Sequence, residues 1–135
     1  MIVRYQRETV DVEEFASILE RSGLGARRPL QDRPRLQRMV DGANLIVTAR
    51  EDGGGTLVGI ARALTDWSYA CYLSDLAVDR AWQGQGIGRE LIAQTQAHAG
   101  DECMCLLVSA PDSVEFYRSI AMPQTDRAFL FPRAR

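Results

Sequence analysis

One stretch constrains this chain more than any other: Tyr72-Leu73-Ser74-Asp75-Leu76-Ala77-Val78-Asp79-Arg80-Ala81-Trp82-Gln83-Gly84-Gln85-Gly86-Ile87-Gly88-Arg89. Its first half, up to Val78, reads as a buried strand. Its second half places glycines at 84, 86 and 88, directly before an amphipathic run. A strand, a glycine-rich turn and a helix start are the ingredients of an anion cradle. Backbone N–H groups can converge there because no side chain blocks them, and the helix dipole favours negative charge. The rest of the chain must say which anion, and what chemistry lies beside it.

The totals narrow the classes. At 135 residues the chain is most simply one domain, 1–135. A hydrophobic share of 46% and a charged share of 25% suit a globular fold and argue against disorder. No apolar run approaches the roughly 18 residues of a membrane span, and no apolar stretch follows Arg4 and Arg7 as a secretory leader would require. The expectation is therefore a cytoplasmic protein with no membrane partner. A net charge of −2 argues against a general nucleic-acid binder. The sequence holds no lysine, which removes a Walker lysine and a Schiff-base lysine. Cys71, Cys103 and Cys105 lack a metal-ligand pattern and read as reduced thiols, so no metal is expected.

Taken in order, residues 2–6 read as an edge strand. Thr9 or Asp11 can cap a helix in which Val12, Phe15, Ile18 and Leu19 share a face, ending near Gly23 and Gly25. A basic loop with Arg27-Arg28-Pro29 follows. Asp32 can cap a second helix with Pro34 in its first turn and Leu36, Met39 and Val40 inward, ending at Gly42. Residues 44–50, 57–64 and 69–78 read as an antiparallel meander, joined by the glycine-rich turn 51–55 and the short turn 65–68. Ile87, Leu91, Ile92 and Thr95 make one face of a helix over 86–99, with Gly100 as its stop. The apolar run 103–108 suggests a strand buried on both faces. A short helix should start at 109–112, with Val114, Tyr117 and Ile120 on one side, and 128–131 reads as a last strand stopped by Pro132. The order β-α-α-β-β-β-α-β-α-β predicts an α/β (α+β) fold, a mixed and mostly antiparallel sheet flanked by helices.

Three ligands compete for the glycine turn. A dinucleotide fingerprint wants G-x-G-x-x-G in the first unit of a parallel sheet. Here the spacing is G-x-G-x-G after hairpin-connected strands. A P-loop needs the missing lysine. The third pattern, Q/R-x-x-G-x-G/A, belongs to the pyrophosphate loop of acyl-coenzyme A sites, and Gln83, Gly86 and Gly88 fill it in register. A glycine turn without any ligand is the plain alternative.

The run 78–92 resembles the acetyl-CoA motif of the GNAT superfamily of N-acetyltransferases. Val114-Glu115-Phe116-Tyr117-Arg118-Ser119-Ile120-Ala121-Met122 resembles that superfamily's second motif, FYxxxGF. Residues 57–66 and 74–78 are similar to small bacterial members, and the likeness runs from about Asn44 to Phe131. It implies the acyl-CoA N-acyltransferase fold and acetyl-CoA as cosubstrate. Ala121 stands where the family has glycine, Met122 where it has phenylalanine, and Ala110 where it often has asparagine.

The resemblance also implies roles. Backbone N–H groups from Gly84 through Gln85, Gly86, Ile87 and Gly88 to Arg89 would hold the pyrophosphate, and the Arg89 cation would add charge. A backbone N–H near Leu76, Ala77 or Val78 would stabilise the thioester oxyanion. The fourth and fifth strands would part to admit pantetheine. Tyr117 sits at the general-acid position, and a phenol with pKa ~10 is a reasonable donor to a departing thiolate. For the base, Asp75 and Tyr72 are candidates. Their parity along the strand puts them on opposite faces of the sheet, and Asp75 can equally be a structural carboxylate held by backbone or arginine. His98 reads as a surface residue. The acceptor side is expected from the first two helices, their loop and the turn 66–69. Arg27, Arg28, Arg33 and Arg35 would there favour a substrate with a carboxylate or phosphonate, unless they are simply solvated.

The function so reached is acetyl transfer from acetyl-CoA to a primary amine of a small molecule or peptide, by direct attack. A non-catalytic acyl-CoA-binding module of the same fold is the alternative, and a longer acyl donor a third. Exposed terminal strands leave room for a homodimer.

Overall fold

The computed structural model describes residues 2–135. Strand β1 (Val3–Arg7) leads to helix α1 (Val12–Ser22), a 3-10 turn (Leu24–Arg27) and helix α2 (Arg33–Gly42). Strands β2 (Leu45–Glu51), β3 (Leu57–Thr65) and β4 (Ala70–Val78) follow as a meander. A second 3-10 turn (Arg80–Trp82), helix α3 (Ile87–Ala99), strand β5 (Met104–Leu106) and helix α4 (Val114–Ser119) complete the elements. The sheet order is β1-β2-β3-β4-β5, antiparallel up to β4, with β5 parallel to β4. This is the expected mixed, mostly antiparallel sheet flanked by helices.

Local chemistry sets the helix ends. Asp11, not Thr9, caps α1: its carboxylate accepts from the Glu14 N–H at 2.7 Å. Gly23 closes α1 at φ 89°, a left-handed stop open to glycine. Asp32 caps α2 through the Arg35 N–H at 3.1 Å. Gly86 opens α3 and Gly100 ends it.

Each face of the sheet has its own apolar layer. Phe15, Ile18 and Leu19 of α1 and Leu36 of α2 pack on Ile46 and Ile60. On the other face Ile87, Leu91 and Ile92 of α3 pack on Val47, Val58, Ala61 and Leu73. Gly59 lets α3 come close: a Cβ there would lie 3.0 Å from Leu91 Cδ1 and 3.2 Å from Ile87 Cγ2. That contact seats the first turn of α3, and with it the glycine loop, against the sheet. The ion pairs of Arg50 with Glu8 (2.8 Å) and Glu14 (2.9 Å) tie β2 to the chain that enters and forms α1.

The structure corrects four sequence expectations. The loop after α1 contains a 3-10 turn. The run 103–108 is not buried on both faces: Met104 is 55% and Val108 53% exposed. Among the described residues no sixth strand covers β5, and apolar composition cannot distinguish an edge from a centre. Helix α4 starts at Val114, after a turn closed by Ser113 N–H on the Ala110 carbonyl at 3.0 Å. Finally, 128–131 forms no strand. A strand needs an edge of matching length, and β5 offers only three residues. The tail instead runs toward α2, where the Arg35 guanidinium donates to the Arg135 carbonyl oxygen at 3.0 Å.

Ala121 follows α4 with φ 59°. Its N–H donates to the Arg118 carbonyl at 3.0 Å and the Met122 N–H to the Tyr117 carbonyl at 3.1 Å, so the helix ends in a left-handed stop built on a residue with a Cβ. The left-handed region costs an L-residue about 1–2 kcal/mol, and glycine gives part of that back as unfolded-chain entropy, about 0.4–1 kcal/mol. Ala121→Gly is therefore expected to stabilise the fold by roughly 0.5–1 kcal/mol, read as a higher urea midpoint at unchanged slope.

Candidate active site at the parting of two strands

Strand β5 runs beside β4 for only three pairs: Ala70 with Met104, Cys71 with Cys105, and Tyr72 with Leu106. After Tyr72 the two strands part, and the far half of β4 keeps only β3 as a neighbour. A cavity of about 460 Å³ occupies the gap. Leu73, Ser74 and Leu76 of β4 line one side, Leu107 and Ser109 the other, and Tyr117 of α4 also lines it. Arg27 and Arg28 of the segment between α1 and α2, Arg35 of α2 and Arg133 of the tail line it as well, with the Arg28 guanidinium close enough to act on the Tyr117 phenol.

The parting frees backbone groups of β4. The Asp79 N–H donates to the Val58 carbonyl of β3 at 2.9 Å. Alternation along an extended strand then turns the peptide groups of Asp75 and Ala77 toward β3, and those of Leu76 and Val78 toward the gap. Gln83 corroborates this, since its side-chain amide donates to the Val78 carbonyl at 2.9 Å. Gln83 therefore pins the glycine loop to the open edge of β4. Ala77 lies outside the opening, with its side chain buried among α1 and α2 residues.

A bulge changes the sides on which β4 presents its residues. Arg62 pairs with Asp75 but Ala63 pairs with Leu73, so Ser74 is an extra residue. Cys71 and Leu73 before it, and Leu76 and Val78 after it, all pack on the α3 side. Asp75 bonds Arg62 and Arg28 on the opposite side, and Tyr72 stands across from Leu64, two residues on from Arg62. Tyr72 and Asp75 therefore share a face. The parity argument, which separated them, fails because one inserted residue inverts the alternation.

The two candidates for the base differ in access. Tyr72 is 40% exposed and lines the cavity. The Asp75 side chain has no exposed surface. One of its oxygens accepts from Arg28 Nε at 2.5 Å, the other from Arg62 Nε. Arg62 also donates to Ser74 Oγ at 2.9 Å and to the Met39 carbonyl at 3.0 Å. Arg28 donates to the Arg27 carbonyl at 2.9 Å and to the Ser74 carbonyl at 3.2 Å. A carboxylate buried between two guanidinium groups thus fastens the arginine segment to the bulge of β4.

Tyr117 is partly buried beside Phe116, ring centroids 5.0 Å apart and nearly perpendicular. Burial pushes its phenol pKa above 10, while the Arg28 guanidinium pulls the other way. Phe116 is more exposed than expected of a core residue, at 37%, and rests on Gly88. A Cβ on Gly88 would lie 2.9 Å from the Phe116 ring. Gly88 thus brings α4, and with it Tyr117, close to the start of α3.

The glycine loop opens outward. Gly84 (φ 81°) and Gly86 (φ 83°) are left-handed, and a Cβ on either would meet nothing within 4 Å. No side chain caps α3, so the N–H groups of Ile87, Gly88 and Arg89 have no partner inside the helix. Ile87 buries its side chain while Gln85 and Arg89 are exposed. These features fit a pyrophosphate, which needs bare backbone donors and room.

The rest of the expected acceptor side divides. Arg33 turns away to Glu13 at 3.1 Å. The turn 66–69 lies at the paired end of β4, where Arg7 stacks over Trp67 at 4.7 Å, and does not line the cavity. His98 is exposed on α3. Among the described residues no group of His, Cys, Asp and Glu could hold a metal ion. Neither the bulge nor the Gln83 pin has a signal in the sequence, whereas the arginine-held Asp75 is one of the two roles its position allows, with Arg28 and Arg62 as the partners that the structure supplies. The signal for it is that Asp75 is the one carboxylate inside the strand, which burial obliges to find a partner.

An open sheet edge beside a glycine-led helix is what the resemblance to acyl-CoA N-acyltransferases implies for this fold. A family model confirms it at residues 12–121, and the chain belongs to the acetyltransferase (GNAT) family. A solved protein of Deinococcus radiodurans R1, whose acetyltransferase assignment is itself inferred, is 26% identical, with TM-score 0.72 over 96% of this chain and 87% of that one. A GNAT-family acetyltransferase of Streptococcus pneumoniae TIGR4 shares the fold at 18% identity, with TM-score 0.76 over 99% and 100%. The aminoglycoside N-acetyltransferase AAC(6')-Iy, solved with CoA, shares it at 14% identity, with TM-score 0.70 over 99% and 96%. No curated protein sequence matches the chain. Among the described residues no helix is long and apolar enough to cross a membrane.

Proposed function

We propose that this protein transfers an acetyl group from acetyl-CoA to a primary amine by direct attack. The observation that carries the reading is the parting of β4 and β5 after Tyr72, with the glycine loop at one side and Tyr117 over the gap. When bound, acetyl-CoA supplies the thioester carbonyl carbon that the amine attacks, and coenzyme A leaves as the thiol. The N–H groups of Gly84 to Arg89 hold the pyrophosphate. The N–H groups of Leu76 and Val78 receive the carbonyl oxygen as charge builds on it, a contribution of roughly 10²–10³ in rate for one such donor. Tyr117 gives its proton to the departing sulfur, and the Arg28 cation offsets the charge left on the phenol. The amine sheds its proton to water at the exposed mouth, where Tyr72 orients it. In this reading Asp75 positions Arg28 and takes no proton, because its carboxylate is enclosed and both oxygens are engaged. Cys71, Cys103 and Cys105 are all unpaired thiols, and burial raises Cys71 to about 11, in keeping with a cytoplasmic setting and no role in the reaction.

Acetyl-CoA is expected to raise the melting temperature by mass action, about 2.7 kcal/mol of stabilisation at a hundred times its Kd. A thermal shift assay reads this directly. A folded protein that shows no shift in millimolar acetyl-CoA would overturn the reading.

A further inference from the structure

The charge of the cavity carries the reading further, to the acceptor. Arg27, Arg28, Arg35, Arg62 and Arg133 line it, and no aspartate or glutamate does. Asp75 lies behind the wall and balances only one of the two guanidinium groups that grip it. Arg28 is held on three of its nitrogens, by Asp75, the Arg27 carbonyl and the Ser74 carbonyl. A guanidinium has five N–H donors, so two remain on a group already fixed in place and one-fifth exposed. Among the described residues, neither Arg27 nor Arg133 enters an ion pair. A preorganised guanidinium with spare donors, flanked by two unpaired cations, is a receptor for anionic oxygen.

We propose that the acceptor is a primary amine that also carries an anionic group, a carboxylate or a phosphate, bound by Arg28 with Arg27 and Arg133 while its amine lies at the parting of β4 and β5. This rests on the acetyl-transfer reading for the chemistry but not for the binding. The arginines attract the anion across the short reach of the cavity. They also repel a polycation, so aminoglycosides, which the similarly folded AAC(6')-Iy takes by its name, are poor acceptors here. An acceptor without the anion would leave the two spare Arg28 donors and the Arg27 and Arg133 cations without a counter-charge in the cavity.

Two measurements test it. Calorimetry with the CoA-loaded protein reads binding of L-glutamate, O-phosphoserine, ethanolamine and sisomicin. Thiol release from acetyl-CoA reads turnover of the same four amines. Charge-assisted hydrogen bonds predict at least about tenfold tighter binding and higher kcat/KM for the two anionic amines than for ethanolamine, with the advantage shrinking at high salt. A carboxylate and a phosphate source separate in the glutamate and phosphoserine arms. Arg27→Glu, on an exposed side chain, is expected to cut the anionic advantage at least about tenfold, mainly through KM, at an unchanged melting temperature. Binding of the anionic amines without thiol release supports the anion site and sinks the catalytic reading instead. Equal or better use of ethanolamine or sisomicin overturns the anion site and leaves acetyl transfer standing. No binding of either anionic amine overturns it too.

Discussion

Asp75→Ala is expected to cost about 3–5 kcal/mol of stability, the usual penalty for removing one partner of a buried ion pair. The melting temperature should fall by roughly 10–15 °C. The physical reason is what remains behind. Arg62 is 6% exposed and would face the Phe15 ring, 5.9 Å away, with no carboxylate. Arg28 would lose its shortest bond, and the segment between α1 and α2 its anchor on β4. Chemical denaturation measures the loss. A cost below about 1 kcal/mol, the range of an exposed pair, would mean that the arginines relax into water and that the bridge does not hold the segment. Asp75→Asn separates charge from shape: it keeps one acceptor and should fall between alanine and wild type. If Asp75→Asn folds like the wild type yet loses all turnover at unchanged acceptor KM, Asp75 acts as a base after all.

The second large effect falls on Tyr117. Tyr117→Phe keeps the ring against Phe116 and removes only the hydroxyl. Turnover is expected to drop about 10²-fold, the lower end of what a positioned general acid contributes. The acetyl-CoA-induced melting shift should stay within a degree, because the pyrophosphate donors lie on the glycine loop. Thiol release under saturating donor measures the first and thermal shift the second. The pH dependence has a definite sign. Burial raises the phenol's pKa, so the group stays protonated throughout neutral pH. The alkaline limb of kcat/KM assigned to it therefore lies above that of a free phenol and disappears in the phenylalanine variant. For stability, a folded pKa above the unfolded one contributes fully below the unfolded value and is lost as pH rises through the folded value. A limb at pH 8 that persists in Tyr117→Phe would remove the residue from the acid role.

Much of this was legible along the chain, for local reasons. Val12, Phe15, Ile18 and Leu19 repeat at the helical period, and three of them are fully buried. Asp11 and Asp32 stand where a helix needs acceptors for its first N–H groups. Gly84 and Gly86 take positive φ because glycine alone does so freely. Where the sequence misled, the missing information was an edge or a neighbour. The runs 103–108 and 128–131 are apolar enough for buried strands, but burial depends on what lies alongside. Nothing in Met104 or Phe129 says that the sheet stops at β5.

The opening stretch shows the same division. By itself the sequence determined that residues 72–89 form strand, glycine turn and helix, because periodicity, backbone freedom and capping act within a few residues. It also determined the order of motifs that marks the family. Only the tertiary structure decided which way the strand faces. One unpaired residue at Ser74 put Tyr72 and Asp75 on the same side. It decided that Asp75 is shared between Arg28, 47 residues away, and Arg62, and that Gly88 receives the Phe116 ring. Register, sheet edges and long-range ion pairs are properties of neighbours in space, and a linear pattern carries no record of them.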